Sequence, residues 1–130
     1  MRLLIAFVLG GVVGFEREVH QKPAGLRTHV LISTAAALFT ILSTSPSFGD
    51  GNIDPTRIAS QILAGMGFVG AGVIISTGGH VRGVTTAASL WVMAAIGMAA
   101  GLGELALAGF ATLLTILALV VLWVFEDHRR

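Results

Sequence analysis

The sequence predicts an all-α membrane protein of about five transmembrane helices, folded as a single transmembrane domain over residues 1–130. Two bulk observations and one pattern carry that expectation. The chain is 55% hydrophobic and only 12% charged, whereas soluble domains carry about 25% charged residues. Its charges cluster at 16–29, 50–57, 80–82 and 126–130. The long uncharged stretches between them are the mark of repeated membrane spans. They place helices at roughly 2–19, 26–44, 55–76, 83–100 and 104–125.

The uncharged part of the first helix ends at Phe15, so it measures roughly 20 Å against a hydrocarbon core of roughly 30 Å. Either the helix continues through Glu16 and Arg17 and carries them into a protein interior, or the bilayer thins around it. Continuation is the preferred reading. Glu16-Arg17-Glu18 follows the apolar run where a secretory leader would have a small-x-small cleavage site, so this segment is read as a mature helix. Pro23 interrupts the chain, and Gly25-Leu26-Arg27-Thr28 opens the second helix, in which Ser33, Thr34 and Thr40 are tolerated intramembrane hydroxyls.

Pro46, Gly49, Asp50, Gly51 and Asn52 are turn formers, after which Asp54 offers an N-cap with Pro55 at the first helical position. The third helix carries Gly65, Gly67, Gly70 and Gly72, a density suited to close packing in lipid. A Gly78-Gly79 turn leads to the fourth helix, and Gly101-Leu102-Gly103 joins it to the fifth. The stub from Glu126 to Arg130 leaves no room for a soluble domain, so function is expected from helices and short loops. A shift of 58 lays Gly14 on Gly72, Gly25 on Gly83, Leu26 on Val84 and Thr28 on Thr86, suggesting two parallel repeated hairpins followed by a fifth helix.

Arg17, Lys22, Arg27, Arg82, Arg129 and Arg130 fall on one side of such a bundle, and Arg2 and Arg57 on the other. The positive-inside rule then puts the N-terminus outside and the C-terminus in the cytoplasm of a multi-pass protein. With no cysteine, disulfides and thiolate metal sites are excluded. Membrane lipid is the expected partner, and nucleic acid is not.

Gly65-Met66-Gly67-Phe68-Val69-Gly70 matches a dinucleotide-binding string, but that string works only between a strand and a helix, with an acidic residue about 20 positions on. Inside a membrane helix these glycines read as packing surface, with Gly67-x-x-x-Ala71 one contact and Gly10-x-x-x-Gly14 another. Glu16 and Arg17 near hydrocarbon demand pairing, wetting or use. A salt bridge, for instance to Arg27 or Arg82, and a direct part in ion handling are both open. The helix starts at Gly25-Leu26-Arg27-Thr28 and Gly83-Val84-Thr85-Thr86 present free amides and hydroxyls beside Arg27 and Arg82. That is the chemistry of an anion site, or of plain capping with lipid-headgroup contact. On the other side Asp54 caps the third helix and Arg57 pairs with it or snorkels outward. Gln61 is a polar group within the span that needs a partner. Trp91 reads as packed between helices, and Trp123 as part of an aromatic belt.

Taken together, Gly14-Phe15-Glu16-Arg17-Glu18, Gly25-Leu26-Arg27-Thr28-His29, Asp54-Pro55-x-Arg57-Ile58-Ala59, Gly65-Met66-Gly67-Phe68-Val69-Gly70-Ala71-Gly72 and Arg82-Gly83-Val84-Thr85-Thr86-Ala87-Ala88 resemble the MgtC/SapB family. The match covers nearly the whole chain. The resemblance implies a bacterial inner-membrane protein linked to magnesium homeostasis, to survival inside host cells and hence virulence, and to phosphate supply. Several family members carry a cytoplasmic C-terminal domain, for which no counterpart is expected after Phe125, so the comparison is expected to hold for the membrane half. Glu16, Glu18, Asp50 and Asp54 are split between opposite faces, a poor donor set for a hard cation. No metal site and no cofactor are expected.

The leading functional reading is a small membrane regulator, a homo-oligomer with a dimer favoured, whose glycine-rich helix faces bind itself and another membrane protein. The alternative is an ion or anion transporter or channel lined by Glu16, Arg17, Arg27 and Arg82. Catalysis is the weakest reading: no nucleophile with an adjacent base is visible in the sequence, and His29 next to Thr28 is no dyad.

Overall fold

The computed structural model describes residues 1–45, 54 and 56–127, the last five as backbone. The turn formers of 46–53, Pro55, the side chain of Trp123, and Arg129 and Arg130 lie outside the described residues. The elements run α1 (Arg2–Val19), α2 (Leu26–Ser43), α3 (Thr56–Val73), β1 (Ile75–Thr77), β2 (His80–Arg82), α4 (Val84–Leu102) and α5 (Leu105–Asp127). The chain is an all-α membrane protein, with five helices among the described residues. Three segments of these residues, Leu26–Ser43, Val84–Leu102 and Leu105–Leu122, are long and apolar enough to cross a membrane. The other two helices pay for their polar ends: α1 carries Arg2, Glu16, Arg17 and Glu18, and α3 opens with Arg57, Ser60 and Gln61.

The first helix continues through the charged pair, as its length required. It spans 18 residues, about 27 Å, and closes at His20, whose amide bonds to Glu16 O at 3.2 Å. The third helix is shorter than expected. It stops at Val73, and the residues assigned to its last turn form strand β1, paired antiparallel with β2 through Ile75↔Arg82, Ser76↔Val81 and Thr77↔His80. The physical reason lies in Gly78 and Gly79, with φ of 59° and 81°. Two central residues at positive φ make the tight turn whose twist suits a β-hairpin, and β-branched Ile75, Thr77 and Val81 favour strand over helix. At the far end α4 runs two residues past the expected Ala100. Gly103 terminates it in a left-handed conformation, with Gly103 N bonded to Ala100 O at 3.1 Å and Glu104 N to Ala99 O at 2.9 Å, a Schellman closure. The fifth helix begins at Leu105 and extends to Asp127.

Helix α2 is gripped from two sides by small residues of α1 and α4. A Cβ on Gly10 of α1 would lie 2.9 Å from His29 O and Val30 Cα, and one on Gly14 would lie 2.8 Å from Leu26 Cα. From α4, a Cβ on Gly97 would lie 2.9 Å from Ser33 Cα, and one on Gly101 2.7 Å from Ala37 O. Gly97-x-x-x-Gly101 is thus a second clamp of the same spacing as Gly10-x-x-x-Gly14, and sequence reading missed it. Such approach lets dispersion and polar contacts between backbones drive association where lipid supplies no hydrophobic force. Ser33 adds a hydrogen bond across the seam, donating to Ala6 O at 2.8 Å.

Ala6, Val13, Ala37, Met93, Ile96, Ala100, Ala108 and Leu119 form one buried apolar cluster through α1, α2, α4 and α5. A second joins Ala24, Ala36, Met66, Leu90 and Ala94, and brings α3 onto α4. The repeat at 58 fits the helix starts, since Gly25 and Gly83 cap α2 and α4. It does not fit Gly72, around which there is open space; the α3 glycine that meets α4 is Gly70, whose added Cβ would lie 3.5 Å from Ala87. Gly83 holds φ of 88° against the end of α3, where any side chain would strike Val73.

Candidate functional site

At one end of the bundle the end of α1 and the starts of α2 and α4 bring together most of the buried polar side chains. Glu16 and Arg17 are 9% and 3% exposed. They pair with each other rather than with Arg27 or Arg82: Arg17 Nε contacts Glu16 Oε2, and Nη2 donates to Oε1 at 2.7 Å. The two-pronged contact neutralises both charges locally, which is what makes their burial tolerable. His20 Nδ1 donates to Glu16 O at 2.9 Å and lies 3.1 Å from Glu16 Oε1.

The start of α2 already holds an anion from within the chain. Glu18 Oε2 accepts the Leu26 amide at 2.8 Å, placing a carboxylate against the positive end of the helix. Arg27 is exposed and Thr28 half-buried beside it. At the start of α4, Thr85 is exposed, Thr86 is buried, and Arg82 is exposed on β2. Among the described residues Glu16 therefore pairs with Arg17 and His20, and not with Arg27 or Arg82.

Its further members are His29, fully buried, and Ser89, 3% exposed. His29 Nδ1 donates to Gly25 O at 2.9 Å, Nε2 lies 3.1 Å from Ser89 Oγ, and Ser89 Oγ donates to Thr86 O at 2.7 Å. This joins α2 to α4. Sequence reasoning passed over Ser89; its signal was available as a hydroxyl one turn after Thr86 in an otherwise apolar helix.

At the other end Arg2 Nη1 donates to Gly101 O at 3.2 Å, tying the start of α1 to the end of α4. Asp54 Oδ1 accepts the Thr56 amide at 2.9 Å and the Thr56 hydroxyl at 2.6 Å. Those hydrogen bonds, and to a lesser degree the charge of Arg57, hold the Asp54 carboxyl below its usual range. Arg57 is exposed.

The glycines divide into two groups. Gly10, Gly14 and Gly70 meet neighbouring helices, whereas Gly65, Gly67 and Gly72 have no neighbour within Cβ reach. Gly65 instead lines an apolar cleft of about 540 Å³ between α2 and α3, walled by Ile32, Ala36 and Phe39 on one side and Ile62 and Met66 on the other. Gln61 sits on its rim, exposed. Trp91 is also half exposed, at 49%, so it does not fill the space between helices in this chain alone. Among the described residues no three His, Asp or Glu side chains converge as a metal site.

The MgtC family model matches residues 3–128. Protein MgtC of Brucella abortus (strain 2308) is 47% identical over 111 residues, covering 85% of this chain and 45% of that protein. Protein MgtC of Salmonella typhimurium (strain LT2) is 45% identical over 124 residues, covering 94% and 51%. The Escherichia coli (strain K12) protein named "Putative magnesium transporter YhiD" is 44% identical over 126 residues, covering 93% and 59%. The chain spans about half the length of the curated relatives it matches. No solved structure matches it significantly. A family match over nearly the whole chain, together with relatives of this identity, places the protein in the MgtC family.

Proposed function

We propose that this chain is the membrane part of an MgtC-like inner-membrane protein that acts as a regulator through helix–helix contacts during adaptation to magnesium or phosphate limitation. The observation that carries the reading is the uncovered surface of α3: Gly65, Gly67 and Gly72 have open space around them, Gly65 on the side of the apolar cleft between α2 and α3 and Gly67 on the opposite flank. Glycines that already serve the chain's own packing are filled by neighbours. Those on α3 are free to admit a helix of a second copy or of another membrane protein. The five helices cross the membrane with the α1–α2 and α3–α4 connections in the cytoplasm, where Arg17, Lys22, Arg27 and Arg82 satisfy the positive-inside rule.

Chemical-shift or fluorescence-transfer measurement of self-association in lipid nanodiscs tests this. Gly67→Leu is expected to weaken association at least tenfold while leaving the chain folded. A monomer at all concentrations, with no partner captured from membranes of magnesium-limited cells, contradicts the reading.

A second reading is transport. The polar cluster of Glu16, Arg17, His29 and Ser89 within the bundle favours it, as does the name of the Escherichia coli relative. Against it stands the mutual neutralisation of Glu16 and Arg17. Magnesium or phosphate flux into proteoliposomes that Arg17→Leu abolishes would support it over the regulator. The enzymatic reading finds no support in the His29–Ser89 pair, which is enclosed within the bundle.

A further inference from the structure

We propose that His29 is a proton-binding site and that the Ser89 hydroxyl reads its charge. The argument rests on counting hydrogens, and it is independent of whether the protein regulates or transports. A carbonyl only accepts, so the 2.9 Å contact with Gly25 O fixes a hydrogen on Nδ1 of His29. Nε2, 3.1 Å from Ser89 Oγ, is then the atom that gains or loses a proton.

Ser89 has one hydrogen and two acceptors within reach: Thr86 O at 2.7 Å, and Nε2 when the imidazole is neutral. With a neutral ring, the hydroxyl donates to Nε2. When a hydronium ion delivers its proton to Nε2 and leaves as water, Nε2–H donates to Ser89 Oγ, and the hydroxyl turns to Thr86 O. Each state leaves both ring nitrogens and the hydroxyl partnered, so neither carries the penalty of an orphaned buried polar atom.

Burial alone favours the neutral ring, so the protonated state depends on the partners around it. The ring is fully buried where three helices meet: Gly14 of α1 lies against its Cβ, and Ser89 of α4 against its Nε2. The charged side chains facing it from α1 are Glu16 and Arg17, which are paired with each other. Helix α4 carries no titratable side chain. On α2 itself Arg27 is exposed, and Glu18, before it, is engaged with the Leu26 amide. His29 is within one turn of the start of α2, so a proton has a short path from the aqueous side. Protonation reverses the hydrogen bond between α2 and α4 and makes it charge-assisted, beside the Gly97 and Gly101 clamp.

The test is ¹⁵N-histidine NMR of the full chain in lipid nanodiscs from pH 4 to 8, with His29→Asn identifying the signal. The expected result is a ring that passes from the Nδ1–H tautomer to the doubly protonated form. Ser89→Ala should weaken proton binding about threefold to tenfold, since a hydrogen bond to a charged donor is roughly twice as strong as a neutral one. Ser89→Thr, which keeps the hydroxyl, should restore the wild-type midpoint. A His29 ring that stays neutral throughout, or one that titrates with the same midpoint when Ser89 is alanine, overturns the proposal.

Discussion

At the residue scale the account turns on Glu16 and Arg17. Sequence alone established that charges so close to hydrocarbon need partners, but not that the two neighbours satisfy each other, because adjacency on a helix does not fix where two long side chains turn. Arg17→Leu removes the two-pronged partner of Glu16 and leaves only the half-buried His20 beside its carboxylate, so it is expected to cost up to about 3–5 kcal/mol, read by denaturant unfolding in micelles. Adding Glu16→Gln should recover part of that loss, since the unpaired charge is then gone. Asp54 makes a different prediction. Its pKa is held down by Thr56, so its cap is complete above the ordinary carboxylate pKa of about 3.9 and is lost as pH falls through the lower folded value. Amide exchange at Thr56 and Arg57 should therefore speed up only below about pH 4, and Asp54→Asn should remove that dependence while keeping most of the cap.

At the element scale the glycines carry the lesson. Their spacing in α1 was legible as a contact, and Gly10 and Gly14 do meet α2. On α3 the same spacing is left facing open space, because a small-x-x-x-small pattern declares that a face can be approached without naming what approaches it. Gly97→Leu drives a side chain into Ser33 and should destabilise the fold by about 1–3 kcal/mol or more. Gly67→Leu should shift monomer stability by no more than about 0.5 kcal/mol. Parallel unfolding curves of the two variants check the contrast. The β-hairpin at 75–82 was hidden for another reason: the helical reading ran through Ile75 and Ser76 on hydropathy, while the Gly78-Gly79 pair dictated a two-residue turn that only strands can flank.

At the scale of the whole molecule the number of helices and their order were legible, since charge clusters interrupt apolar runs wherever the chain meets water. The arrangement around α2 was not, because it rests on Gly97, Gly101, Ser33 and Ser89, and a small or hydroxylated residue in an apolar helix does not name the helix it meets. The central claim is that the free face of α3 is an interface. The chain has no native cysteine, so single-cysteine variants report cleanly. The most direct measurement is disulfide crosslinking in native membranes of Gly67→Cys, compared with Leu90→Cys at a position buried inside the bundle. Crosslinking of Gly67→Cys to a second copy or to another membrane protein, with none from Leu90→Cys, is the predicted result. Absence of any adduct at Gly67→Cys under magnesium or phosphate limitation would contradict it.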